Sequence, residues 1–140
     1  MQHLAPTSSS RVSVLRVGLL AVAGVQLVTG LVLALAPGAF YDALADFGPR
    51  NEHDLRDMAA FYLASAVVLA VAAGRASWRA PALALVGLQF GLHALNHLHD
   101  VGDADPSWVG PLDLLTLAAG ALLLGGLYRA AARDDAAAGR

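Results

Sequence analysis

The sequence has no cysteine and no lysine, and only 14% of its 140 residues are charged. Without cysteine there are no disulfides, no thiolate metal sites and no thiol nucleophiles, and the redox state of the compartment leaves no mark on the chain. All nine basic residues are arginine, a bias that goes with the many alanines of a GC-rich genome. At a net charge of −2 the chain lacks the clustered basic surplus that nucleic-acid phosphates require, which excludes a nucleic-acid partner.

What is present is apolar. Hydrophobic residues make up 57% of the chain, outside the usual range of a soluble globular domain. Four runs are long enough to cross a hydrocarbon core of about 30 Å, which takes about 20 helical residues. The first is VGLLAVAGVQLVTGLVLALA, residues 17–36, stopped by Pro37 and Gly38. The others begin near Leu55, Ala80 and Trp108. Open strands cannot survive in lipid, so the expected class is all-α, an up-down-up-down bundle of four transmembrane helices over about 12–36, 52–73, 80–99 and 108–129. Residues 1–11 and 130–140 are expected to be cytoplasmic tails, the first of them disordered. The first run is too long for a signal peptide, and Pro37 directly after ALA disfavours cleavage.

Orientation follows from arginine, which is retained on the cytoplasmic side. Arg11, Arg16, Arg75, Arg79, Arg129, Arg133 and Arg140 fall on one side, and only Arg50 and Arg56 on the other, so both termini are expected inside a bacterial inner membrane. In the first outer loop, FYDALADF spaces Phe40, Leu44 and Phe47 as one face of a short amphipathic helix, expected to lie on the membrane surface.

This topology brings polar residues from three helices to one level. At 100° per residue, Gln89, His93, Asn96, His97 and Asp100 share a stripe about 100° wide on the third helix, with His99 pointing away. Asn51, Glu52, His53, Arg56 and Asp57 open the second helix, and Asp113, Thr116 and Gly120 share a face of the fourth. Charge inside lipid is costly, so these groups are expected to turn inward around a polar chamber. Deeper in the bundle, Gln26 and Gln89 are expected at similar depth, within hydrogen-bonding reach. Gly87 and Gly91 give a spacing that lets another helix approach.

Three readings of the cluster stand side by side. His93 and His97, with His53 and a carboxylate from Asp57 or Asp113, could ligate zinc or iron, or the histidines could hold a haem. A histidine could act as acid or base on a quinone or lipid headgroup, with Arg56 holding an anionic group. Or the residues could simply satisfy one another at a wet helix end.

NEHDLRDMAAFYLA at the head of the second helix, the preceding FYDALADFG and the histidines ending the third make the chain resemble small four-helix membrane proteins of high-GC bacteria related to the DoxX-like proteins. The resemblance spans residues 12–128. It implies a four-helix membrane bundle, singles out Asn51, Glu52, His53, Arg56 and Asp57, and supplies no activity. The expected role is an accessory or structural membrane protein, a homodimer or a subunit of a membrane complex. The alternative is a metal-, haem- or quinone-linked redox enzyme, or a lipid-modifying one.

Overall fold

The computed structural model describes residues 8–138, and every regular element among them is helical. Helix α1 is Ser8–Leu35, α2 is Pro37–Phe40 and runs on as a single wide turn over Tyr41–Ala45, α3 is Glu52–Gly74, α4 is Ala76–His99 and α5 is Val109–Ala138. Helix α1 thus includes residues 8–11, which the sequence reading gave to a disordered tail. Residues 1–7 of that tail lie outside the described residues. Helix α5 continues past the expected end at 129, through most of the expected tail.

The boundaries follow from local chemistry. Pro37 has no N–H to extend α1 and opens α2, where a missing donor costs nothing. Asn51 caps α3: its side chain accepts from the His53 N–H at 3.1 Å and donates to Asp54 Oδ2 at 2.7 Å. Between α3 and α4 the whole connection is Arg75 in an extended conformation, with φ −126° and ψ 110°.

Three helices are long and apolar enough to cross a membrane: Val14–Leu35, Glu52–Gly74 and Val109–Ala137. Helix α4 has 24 residues, but Arg79, Gln89, His93, Asn96 and His97 dilute its apolar run. The surface matches a lipid solvent. Val17, Val28, Leu88, Leu115 and Leu122 are 60–79% exposed, and in water such a belt would be an aggregation hazard. This is a helical membrane protein.

Helix α1 packs mainly against α3, and α4 mainly against α5. The two pairs meet in one buried cluster that joins Leu15 and Leu19 of α1, Leu69 and Ala72 of α3, Leu83 and Val86 of α4, and Leu124 and Leu127 of α5. These are the parts of the helices nearest Arg75. Glycine permits the close pairing. A Cβ on Gly30 would meet Leu63 Cγ at 2.8 Å, and one on Gly120 would meet the Phe90 ring at 2.5 Å. Toward the opposite end a smaller cluster holds Leu33, Leu55, Ala59 and Tyr62, with Phe40 and Tyr41 packed on it. This cluster belongs to the α1–α3 pair alone, so the two pairs are not sealed together there.

Candidate functional site

The unsealed end encloses a chamber of about 380 Å³ between the two pairs. Its polar wall is His93, Asn96, His97 and Asp100 of α4 with Asp113 and Thr116 of α5. The facing wall is apolar: Phe40, Leu44 and Phe47 from the loop before α3, and Leu55, Met58 and Tyr62 on α3. Of the stripe predicted on α4, His93, Asn96, His97 and Asp100 line the chamber, Asn96 from an exposed position, while Gln89 lies outside it. His99 is exposed and does not line the chamber.

Within the polar wall, the His93 and His97 rings lie 4.9 Å apart between centroids. His97 Nδ1 sits 3.8 Å from Asp100 Oδ1, too far for a hydrogen bond, and both atoms are buried without a partner. Thr116 donates to its own helix, at the Leu112 carbonyl, 2.6 Å away. One turn below, Gln26 of α1 donates to Gln89 Oε1 of α4 at 3.3 Å, the pairing expected from their shared depth. Gln26 is fully buried, so this bond links the two pairs beneath the chamber floor.

The head of α3 departs from expectation. Asn51, Glu52, His53, Arg56 and Asp57 do not reach the polar wall; the residues of α3 that do are Leu55, Met58 and Tyr62. His53 and Asp57 pair with each other at 3.6 Å on the surface, with side chains 81% and 72% exposed. Arg56 and Arg50 both bind Glu52, at 2.9 and 3.0 Å. Arg50 also reaches toward Asp42, at 3.8 Å. The motif is thus a helix start. Asn51 caps it, Glu52 and Asp54 place negative charge at the positive end of the helix dipole, and Arg50 ties it to the preceding loop. The rotation explains the error: Leu55, Ala59 and Tyr62 claim the buried face of α3, leaving positions 53, 56 and 57 for the surface.

The expected metal set is divided accordingly. His93 and His97 stand in the chamber, while His53 and Asp57 stand outside it. Among the described residues no three His, Asp or Glu side chains are grouped so that they could hold a metal ion.

The first loop, expected to lie on the membrane surface, supplies Phe40, Leu44 and Phe47 to the lining of the chamber. Phe47 meets the His97 ring edge-on, and Asp46 anchors the segment from both sides. Its carboxylate accepts from the Tyr41 hydroxyl at 2.6 Å, and its carbonyl accepts from the Asp105 N–H at 3.0 Å. Tyr41 also contacts the Gly48 carbonyl oxygen. The spacing of Phe40, Leu44 and Phe47 was visible in the sequence; that their apolar face turns toward protein was not.

A larger groove, about 670 Å³, runs along Gly87, Gly91 and Gly125 on another face of α4 and α5. Its lining is almost wholly apolar, and a Cβ on Gly91 would meet nothing within 4 Å. It offers no chemistry beyond contact with acyl chains. No protein family, curated protein or solved structure matches the chain.

Proposed function

We propose that this is an integral membrane protein of four spans whose role is to bind a small amphipathic molecule in the chamber at its outer end. Helix α4 is the fourth span. It has a length of 24 residues, an exposed apolar side at Leu85, Leu88, Leu92 and Leu95, and polar residues of which His93, Asn96 and His97 line the chamber. The helices alternate in direction, with both termini and Arg75 on the cytoplasmic side. The arginine distribution supports this, as does the buried cluster that joins the start of α1 and α4 to the end of α3 and α5. A bacterial inner membrane suits the composition and the resemblance to DoxX-like proteins.

One observation carries the binding reading: the chamber is two-sided. One wall offers hydrogen-bonding and ionisable groups, the other aromatic and aliphatic surface, and its volume lies in the lower part of the ~300–1,000 Å³ range of ligand pockets. The His97–Asp100 separation of 3.8 Å leaves no formed acid–base pair, and the histidines lack a third ligand, so binding is favoured over metal or redox chemistry.

Native mass spectrometry of protein released from its own membrane, with metal analysis of the same sample, tests this. A bound organic species, absent from a T116W variant that fills the chamber, is the expected result. Stoichiometric zinc or iron, or a haem spectrum, would overturn it in favour of the metal reading.

A further inference from the structure

The chamber's polar wall has a definite sign. Of the residues that line it, Asp100 and Asp113 are the only carboxylic acids; the remaining polar groups are two histidines, an asparagine, a threonine and a tyrosine. No arginine lines it. Arg50 and Arg56, the two outer arginines, are both bound to Glu52 on the surface, so the anion-holding role expected for Arg56 has no geometric basis. Asp100 Oδ1 is a buried acceptor without a donor, and the cost of such a group is relieved by a donor or a positive charge. The facing wall brings Phe40, Phe47 and Tyr62, whose ring faces attract cations.

A second groove shares part of this wall. His93 and Asn96, which line the chamber, line a second, lipid-facing groove together with Phe61, Leu88 and Leu92, between α3 and α4. The polar wall is thus shared between the chamber and an apolar groove on the outside of the bundle.

We propose that the occupant is an amphipathic organic cation, an ammonium carried on an aryl or alkyl body, with Asp113 and Asp100 as its counter-charges and Phe40, Phe47 and Tyr62 around it. This rests on the binding reading above and adds the charge of the ligand. Anionic molecules meet two carboxyl groups and no arginine. Neutral ones leave Asp100 unpaired.

The chain has no cysteine, so T116C places a single thiol on the chamber's lining. Its alkylation by N-ethylmaleimide is timed in phosphatidylcholine nanodiscs with three probes of similar shape at matched free concentration: phenyltrimethylammonium, neutral tert-butylbenzene and anionic benzenesulfonate. The cation should slow alkylation about five-fold or more, the others little, given about 1 kcal/mol from aromatic and carboxylate contacts. S107C, in the exposed loop before α5, should be unaffected. Protection should be lost in D113N, or in D100N if D113N does not fold, and kept in D103N, whose carboxylate lies outside the chamber.

Equal or stronger protection by the neutral or anionic probe overturns the cation assignment and leaves the binding chamber standing. So does undiminished protection in both D113N and D100N. Failure of all three probes to protect T116C overturns the binding reading, and the cation assignment with it.

Discussion

The Phe47 ring stands edge-on to the His97 imidazole, with centroids 4.8 Å apart and planes at 65°. One residue belongs to the loop before α3 and the other to the polar stripe of α4, so this contact joins the chamber's two walls. Edge-to-face aromatic pairs contribute about 0.5–1.5 kcal/mol beyond their buried area. F47A should therefore open the chamber more than it destabilises the bundle, whose main cluster lies at the other end. The expected result is several-fold faster alkylation of T116C with a small change in Tm.

The segment carrying Phe47 is held by Tyr41. Its hydroxyl donates to Asp46, and that bond, followed by partial loss of solvent and then the nearby carboxylates of Asp46 and Asp42, holds its pKa above the ordinary value of about 10. A folded-state pKa that is raised means the clasp is fully present below pH ~10 and lost as pH rises through the raised value. Y41F should speed T116C alkylation at neutral pH. The ratio of Y41F to parent rates should fall toward unity in strong alkali, where the parent loses the same bond.

At the head of α3 the structure separates two roles that the motif blurs. N51A removes a helix cap and should cost about 1 kcal/mol. H53A removes an exposed side chain and should change stability by less than about 0.5 kcal/mol. Neither should alter protection of T116C by phenyltrimethylammonium. Thermal unfolding in detergent and the alkylation assay check the two statements separately.

Gln26 and Gln89 form the link between the helix pairs under the chamber. Replacing Gln89 by leucine leaves the fully buried Gln26 amide unpaired, at a cost of about 1–2 kcal/mol, replacing Gln26 leaves the half-buried Gln89 and should cost less, and the Q26L/Q89L double variant should recover much of the larger loss. A double-mutant cycle on Tm reads the coupling directly.

The helices were legible because lipid leaves the backbone few choices, and runs of about 20 apolar residues announce themselves. The placing of His93 and His97 on one wall was legible too, since they repeat with the helical period inside an apolar run; that Asn96 is exposed and Gln89 lies outside the chamber was not. The head of α3 was not. There, charged residues occur at nearly every position, so polarity alone does not say which side is buried, and the deciding signal was the apolar spacing of Leu55, Ala59 and Tyr62. The lid was half legible: Phe40, Leu44 and Phe47 announce an apolar face, but a lipid surface and a protein chamber are equally apolar partners. The ends of α1 and α5 were placed by charge, and helices continue past charged residues where alanine dominates, as in the last turns of α5.

The central claim is that the polar stripe of α4 faces a water-reached chamber between the helix pairs while the same helix shows lipid its other side. Single cysteines from 92 to 98, each treated in proteoliposomes with a small water-soluble methanethiosulfonate, test it most directly. Fast reaction at 93, 96 and 97 with slow reaction at 92, 95 and 98, the positions exposed on the apolar side, is the predicted pattern. Uniform reactivity along the segment, or fast reaction at 92, 95 and 98 with protection at 93 and 97, would contradict it.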